Sequence, residues 1–381
     1  MKPIRVLQVV VNMNRGGAET LLMNLYRNID KTEIQFDFLT CKQGEFDNEI
    51  REMGGIIHRI PYVTDVGHRK YLKELDYFFS SHKEYDIVHA HMDKMSGYVL
   101  RVARKNNIQI RVAHSHSTGS EGSYAAKLYK WYAGKQILPN ATNLMACSDE
   151  AGKWLFPSNA KSAIVLKNGV DTKKFTVSQK WREGMSTALN IPPNSFVVSH
   201  VGRIAKPKNH TFLIDIFAKL ITLKPNAVLI VAGEGPLQHK VESKVSRLGL
   251  KDKVQFVGVR QDIHKLMHIT DVVIFPSLYE GLGITLIEAQ SAGVHCITSD
   301  VIPREVDIGA GLITFESLKK SAETWAKHGL KNKNRQDSGV LECVKNKGYD
   351  IKDSAYHLQT FYVRSYKNVV EKKLSNHRKI I

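Results

Sequence analysis

Residues 272–288 read VVIFPSLYEGLGITLIE and hold one complete strand–loop–helix unit. The continuous apolar run Val272–Phe275 is typical of a strand that is buried on both faces of a parallel sheet. Two glycines, Gly281 and Gly283, let the backbone N–H groups of the following loop approach a ligand. The segment therefore predicts a parallel α/β sheet with a binding loop at the carboxyl end of a strand.

The same alternation of strand-like and helical patterns extends over most of the chain. The strand candidates of the first half are Val6–Val11, 36–40, 56–60, 86–90, 110–114, 144–147 and 164–166. After a polar stretch at 172–195, a second series opens at Phe196–Val201 and continues at 228–232, 254–257, 272–275 and 295–298. Helices between parallel strands complete βαβ units. We therefore expect two doubly wound, Rossmann-like α/β domains facing a cleft.

The expected domains cover residues 1–175 and 195–345. Residues 349–381 have the spacing of a helix, which either closes the second domain or crosses back to the first. No run of about 18 uncharged apolar residues is present, so no membrane span is expected, and no secretory signal pattern is found at Met1–Val6.

The charge is the unusual feature of the composition. The chain has 381 residues with 55 Lys and Arg against 37 Asp and Glu, a net charge of +18. Such an excess predicts an anionic partner: nucleic acid, an acidic membrane surface or a phosphorylated ligand. No zinc-finger spacing or RNA-binding aromatic signature accompanies it. The four cysteines are too scattered for a disulfide framework and favour reduced thiols in the cytoplasm.

Three segments could hold an anion or a sugar. The segment Arg15-Gly16-Gly17 joins the first strand to a helix N-terminus, which favours an anion, although a simple turn would read the same. Between Arg203 and Lys208 three cations follow a strand and suit a diphosphate, or form a solvated basic loop. Glu280 and Glu288 flank the glycine loop, and a carboxylate there can accept two hydrogen bonds from vicinal hydroxyls; Glu288 could instead be exposed on its helix.

Two His-x-His pairs, His89-Ala-His91 and His114-Ser-His116, each place two rings on one side of a strand. Either pair could bind a metal, but no carboxylate or cysteine at ligand spacing joins them. A histidine at a strand end that hydrogen-bonds a substrate is the favoured interpretation. The sequence has no Asp-x-Asp, so the usual acidic metal clamp for a nucleoside diphosphate is missing, and Arg, Lys and helix dipoles must meet any diphosphate charge. We expect neither a metal nor a cofactor.

The segment Tyr124–Lys135 mixes aromatic residues with cations. Lys127, Lys130 and Lys135 lie near Tyr129, Trp131 and Tyr132, a composition that suits a membrane interface. A partly buried surface helix with solvated lysines is the alternative.

Taken together, these motifs resemble those of glycosyltransferase family four, the large retaining group with the GT-B fold. The matching segments, in the expected order, are Gly16–Glu19, Asn168–Asp171, Gly202-Arg203 with Lys208-Asn209, Gly233–Gly235 and Glu280–Glu288. Cys147-Ser148 and Trp154–Phe156 are similar to the bacterial exopolysaccharide subset.

The resemblance implies a role for each candidate residue. Arg203 and Lys208 would bind the donor's diphosphate, Glu288 the ribose and Glu280 the transferred sugar. His114 is similar to the family's active-site histidine, with His116 as the second choice. The other implied substrate-binding residues are Gly16, Gly17, Asn209, Val259 (which would face the base), Gly283, Ile284 and Thr285. The final helix of this fold usually crosses back to the amino-terminal domain.

The function implied by the resemblance is a retaining, metal-independent hexosyltransferase. It would move a hexose from a nucleotide sugar, UDP-linked in the favoured case, to a polyprenyl-diphosphate-linked glycan in exopolysaccharide or capsule biosynthesis. We expect it to lie in the cytoplasm, peripheral on the inner face of the plasma membrane. A lipopolysaccharide or soluble acceptor is an alternative. A non-catalytic nucleic-acid-binding protein would explain the charge of +18, but not paired Glu residues beside a glycine loop.

Overall fold

The computed structural model describes residues 2–120, 122–175, 179–331 and 339–378. The chain forms two compact units. The first unit comprises the residues up to Gly169 together with those from Ile351 onward, and the second comprises Val170–Asp350. Each unit is built around one parallel sheet, so the prediction of two doubly wound α/β domains is confirmed.

The first sheet has seven strands in the order β3-β2-β1-β4-β5-β6-β7. Its strands are β1 Ile4–Val9, β2 Ile34–Thr40, β3 Ile57–Arg59, β4 Ile87–Ala90, β5 Ile110–Ser115, β6 Asn143–Ala146 and β7 Ile164–Val165. The helices around it are α1 Gly17–Asn28, α2 Asp47–Glu52, α3 Val63–Ser81, α4 Ser96–Lys105, α5 Tyr124–Gly134, α6 Ile137–Asn140 and α7 Asp149–Leu155. The strand order reverses between β1 and β4, and ligands of such sheets bind at that switch point.

The second sheet has six strands in the order β10-β9-β8-β11-β12-β13. Its strands are β8 Phe196–Val201, β9 Ala227–Ala232, β10 Val254–Phe256, β11 Val272–Phe275, β12 His295–Ser299 and β13 Ile313–Glu316. The helices are α8 Gln179–Ala188, α9 His210–Leu223, α10 Gln238–Arg247, α11 Ile263–Ile269, α12 Ile284–Ser291, α13 Ala322–Leu330 and α14 Val340–Asn346. Here the switch point lies between β8 and β11.

One strand and one helix were not expected from the sequence. β13 was not predicted, because it has four residues, of which three are only partly buried, and an edge strand of this kind lacks a continuous apolar run. α8 lies inside the polar stretch at 172–195 and packs through Met185 against Leu266 and Ile269 of α11.

The last helix, α15 (Ile351–Arg378), packs onto the first unit. Ile351, Ala355, Leu358 and Tyr362 follow one helical stripe and are buried in the same cluster as residues of α1 and β2. Tyr362 is fully buried there, so this helix supplies a side chain to the interior of the amino-terminal sheet.

Two helical glycines predict opposite effects of adding one methyl group. A Cβ atom at Gly97 of α4 would collide with the Ala133 carbonyl oxygen of α5, whereas Gly184 of α8 has nothing within 4 Å. Gly97→Ala should therefore lower the free energy of unfolding by about 1–3 kcal/mol. Gly184→Ala should raise it by about 0.5–1 kcal/mol through helix propensity. Urea unfolding checks both, and a neutral Gly97→Ala would contradict the packing of α4 on α5.

Candidate active site

In the second unit, the loops after β8 and β11 are joined by an ion pair. Lys208 Nζ lies 2.7 Å from Glu280 Oε1, and both side chains are mostly buried. The Lys208 ammonium also lies 4.7 Å from the centroid of the Phe275 ring. The pair therefore holds a cation and a carboxylate together at the switch point of this sheet.

Asn209 ties the same two loops together. Its side-chain amide donates to the Pro276 carbonyl oxygen at 3.1 Å, and the backbone N–H of Leu278 donates to Pro207 at 2.7 Å. Asn209 has a φ of 54°, a left-handed conformation that asparagine tolerates. The resemblance implies that Asn209 binds substrate. In this structure its side-chain amide bonds to the loop after β11 and so positions the two loops.

The glycine loop ends at the N-terminus of α12. Gly283 has a φ of 95°, so a side chain at this position would be strained. Ile284 and Thr285 follow in the first turn, whose N–H groups have no partner within the helix and can hold an anion.

Glu288 lies one turn further along α12, half-buried among apolar neighbours. Its carboxylate makes no hydrogen bond or ion pair with any residue that the structure describes. Burial raises the pKa of Glu288 to about 7. A carboxylate in this setting gains most from a ligand that donates hydrogen bonds to it, such as a vicinal diol.

Two other candidates of this unit are exposed. Arg203 follows Gly202, and its guanidinium makes no ion pair within the described part of the chain. Val259 lies just beyond β10 and is 43% exposed. Both are therefore accessible to a ligand.

In the first unit, the two His-x-His pairs merge into one cluster. β4 and β5 are neighbours paired with His89 opposite Val112, so His114, two residues on, faces the same side. The ring centroids of His89 and His114 lie 5.1 Å apart, and those of His114 and His116 lie 4.1 Å apart. Either His-x-His pair taken alone does not reveal the cluster; the signal for it is that both pairs lie at the ends of neighbouring strands.

Burial keeps the clustered imidazoles neutral. It places the pKa of His89, His91 and His114 well below the ordinary value and lowers that of His116 to about 4. Ring nitrogens of His89, His91 and His114 all lie within 4.8 Å of one another, a spacing that could hold a metal ion. The rings are also close enough to hydrogen-bond in pairs, His89 with His114 and His91 with His116. Sequence reasoning missed three partners of this cluster: the Tyr362 hydroxyl beside His89, the Gln8 amide beside His91, and Asp93, whose carboxylate accepts from the backbone N–H of His116.

The segment that was expected to bind an anion lies at the N-terminus of α1 in the first unit. Gly16 precedes the helix and Gly17 is its first residue. A Cβ atom at Gly17 would have nothing within 4 Å, so packing does not require this glycine. The neighbouring Arg15 forms an ion pair with Glu45, and Arg15 Nε lies 2.7 Å from Glu45 Oε2.

α5 presents an apolar face without a cover in the described structure. Tyr124, Leu128, Trp131 and Tyr132 follow the helical spacing i, i+4, i+7, i+8, and each is about half exposed or more. Tyr129 points the other way, where its hydroxyl lies 2.7 Å from His68 Nδ1. No described helix combines the length and the hydropathy needed to cross a membrane.

Comparisons with known proteins place the chain in a class. The family model described as Glycosyltransferase Family 4 matches residues 15–174, and that described as Glycosyl transferases group 1 matches residues 182–311. A solved structure of Anabaena Alr3699/HepE in complex with UDP and glucose has a TM-score of 0.71 at 19% identity, covering 98% of this chain and 100% of that one. The fold is that of a GT-B glycosyltransferase.

Two relatives align along most of the chain. The putative glycosyltransferase EpsF of Bacillus subtilis (strain 168) is 37% identical over 329 residues, 84% of this chain and 86% of the relative. The Escherichia coli UDP-Gal:alpha-D-GlcNAc-diphosphoundecaprenol alpha-1,3-galactosyltransferase is 27% identical over 308 residues, 74% of this chain and 79% of the relative. The chain belongs to glycosyltransferase family 4, as the sequence motifs predicted.

Replacing Glu288 with a neutral residue should raise the free energy of unfolding by an amount that depends on pH. The unfolded carboxyl has a pKa of about 4.3, so at pH 8 folding carries the cost of burying an ionised group, and below pH 4 it does not. Glu288→Gln should therefore raise the free energy of unfolding by about 2 kcal/mol at pH 8 and by much less near pH 4.

Urea unfolding at the two pH values measures this difference. Glu342→Gln, at an exposed helical position, is the matched control and should change little at either pH. An equal effect of Glu288→Gln at pH 4 and pH 8 would show that burial does not raise the Glu288 pKa.

Proposed function

We propose that the protein transfers a hexose from a UDP-sugar to a polyprenyl-diphosphate-linked glycan, with retention of configuration and without a metal. The observation that carries the proposal is the Lys208–Glu280 pair, 2.7 Å long, at the switch point of the second sheet. Glu288 and the N-terminus of α12 belong to the loop and helix that follow Glu280. A cation, helix N–H groups and two carboxylates suit the parts of a nucleotide sugar.

Each part of the donor has a matching group. Lys208, Arg203 and the N–H groups of α12 would meet the diphosphate charge. Glu288 would accept the two ribose hydroxyls, and Glu280, oriented by Lys208, would accept hydroxyls of the transferred sugar. The backbone at Val259 would face the base. The structure of Anabaena HepE with UDP and glucose supports UDP as the nucleotide.

The reaction is a front-face displacement. The bond from the sugar's anomeric carbon to the diphosphate oxygen breaks, and a bond to the acceptor hydroxyl oxygen forms on the same face. The acceptor proton passes to the departing phosphate oxygen. Cationic and N–H groups that stabilise the leaving diphosphate supply the role that a metal ion has elsewhere. The absence of Asp-x-Asp from the sequence supports this.

The acceptor would be carried by a lipid. The E. coli relative is named for an acceptor linked to diphosphoundecaprenol, and this supports a lipid-linked glycan in exopolysaccharide or capsule synthesis. The exposed apolar face of α5 supports attachment to the inner face of the plasma membrane. Lys127 on this helix and Lys135 directly after it are exposed. Lys135 lies 3.8 Å from the Trp131 ring centroid, and the chain carries +18. Cations beside aromatic rings attract an anionic lipid surface.

Truncation of Glu288 and truncation of Glu280 to alanine should impair different steps, UDP binding in the first case and sugar transfer in the second. Glu288→Ala removes ribose contacts that exist in UDP itself, and lost hydrogen bonds to a charged group cost about 1.5–3 kcal/mol each. UDP affinity should therefore fall at least tenfold. Glu280→Ala should leave UDP affinity within about threefold and depress sugar transfer, because a sugar contact is absent from UDP. Calorimetry with UDP and turnover of UDP-glucose, UDP-galactose and UDP-N-acetylglucosamine measure the two effects.

Equal loss of UDP affinity in both variants would contradict these assignments. Glu305→Ala, at a partly buried position of the same unit, controls for the loss of any carboxylate. EDTA should leave turnover intact in the wild type, and abolition of turnover that magnesium restores would overturn the metal-free reaction.

Binding to anionic vesicles should depend on α5. Each cation near an anionic surface contributes about 1 kcal/mol, so Lys127→Glu with Lys135→Glu should weaken binding about 30-fold or more. Lys130 is left unchanged because it is partly buried. Co-sedimentation with phosphatidylcholine vesicles, with and without phosphatidylglycerol, measures the difference at two salt concentrations.

The control has the same change of charge elsewhere. Lys224 and Lys251 are exposed in the second unit, and replacing both with Glu should weaken binding far less. If the α5 variant sediments like the wild type, α5 is not the membrane-facing surface, while the transferase assignment stands.

A further inference from the structure

One continuous chain of hydrogen bonds connects the two candidate active-site histidines through the last helix. His114 Nδ1 lies 3.1 Å from His89 Nε2, and His89 Nδ1 lies 2.6 Å from the Tyr362 hydroxyl. The Gln8 amide nitrogen donates to that hydroxyl at 3.2 Å. The Gln8 amide oxygen lies 2.8 Å from His91 Nε2, and His91 Nδ1 lies 2.8 Å from His116 Nε2.

The chemistry of Gln8 and Tyr362 sets the direction of this chain. The Tyr362 hydroxyl accepts from Gln8, and among the described residues His89 Nδ1 is the only acceptor within reach of its own proton. The hydroxyl therefore donates to His89 Nδ1. A neutral His89 then carries its proton on Nε2 and donates to His114 Nδ1. His114 in turn carries its proton on Nε2, a buried atom with no partner among the described residues.

The other arm runs in the opposite sense. The Gln8 amide oxygen can only accept, so His91 carries its proton on Nε2 and presents a lone pair on Nδ1. His116 donates to that lone pair through Nε2. Its own Nδ1 is therefore a lone pair, and this atom too is buried without a partner in the described structure.

We propose that Gln8 and Tyr362 are positioning residues, which fix the imidazole protons so that His114 presents an N–H donor and His116 a lone pair to one carbohydrate hydroxyl. A hydroxyl accepts and donates at once, so it matches such a pair. That a sugar hydroxyl is the ligand rests on the proposed function. Burial supports the proposal, because it favours the neutral form of all four rings. Only a neutral imidazole donates at one nitrogen and accepts at the other.

The first test is the position of the protons in the free protein. Protein with 15N-labelled histidine, each signal assigned by a single His→Gln variant, should show all four imidazoles protonated on Nε2 at neutral pH. Protons on Nδ1 would mean that the Gln8 amide has the opposite orientation, and would overturn the proposal. A doubly protonated His114 or His116 would overturn it as well.

The second test removes one hydroxyl from the chain. Tyr362→Phe should change the nitrogen shifts of His89 and also of His114, the next ring in the chain. It should lower kcat for UDP-glucose hydrolysis about fivefold, the scale of one neutral hydrogen bond, with KM within twofold. Tyr366→Phe is the matched control, since Tyr366 lies one turn along the same helix against the same core, and it should change neither readout. A change of nitrogen shifts confined to His89, or an equal loss of kcat in both variants, would contradict the proposed chain of hydrogen bonds.

A separate measurement tests whether the histidine cluster binds a metal. Equimolar Zn²⁺ added to EDTA-treated protein should leave the four sets of signals unchanged. Stoichiometric binding that removes the His89 Nε2 proton would show that the cluster is a metal site and would overturn the proposed chain of hydrogen bonds. The expected tautomers in a protein that turns over no nucleotide sugar would overturn the proposed function alone; other tautomers in an active transferase would overturn this inference alone.

Discussion

Parallel pairing of buried strands carries the carboxyl end of every strand to one edge of its sheet, and both groups of candidate residues depend on this. In the first unit Gln8 pairs with His89, and His89 with Val112, so side chains two residues apart accumulate on one face. In the second unit the same pairing brings the loops after β8 and β11 together, where Lys208 meets Glu280. Residues far apart in the sequence thereby become neighbours without any local signal.

Burial then gives the two units different chemistry. In the first unit it favours neutral imidazoles, so hydrogen-bond direction replaces charge as the property that the protein controls. In the second, Lys208 keeps a counter-ion, Arg203 stays exposed, and Glu288 is held with its pKa raised to about 7. A cationic site with one poorly solvated carboxylate suits a ligand that brings both an anion and hydroxyl donors.

How much the sequence could predict follows from the range of each interaction. The mostly apolar segment Phe196–Val201 and the continuous apolar run Val272–Phe275 were predicted as strands with their observed bounds, because those strands are buried on both faces. β13 was not predicted, since it is a partly buried edge strand. The glycine loop and its carboxylates were visible as motifs, but the Lys208–Glu280 pair and the partners Gln8 and Tyr362 were not. Tyr362 lies 273 residues from His89, and only the packing of α15 on the first unit joins them.

Hydrogen exchange on the intact protein with and without UDP-glucose tests the central claim most directly. If the switch point of the second sheet holds the donor, amides in two loop segments, residues 202–209 and 281–288, should exchange more slowly when UDP-glucose is bound. Occupation of N–H groups by phosphate oxygens and the ordering of both loops are the physical reason. Binding of UDP-glucose that leaves both segments unchanged would contradict the account.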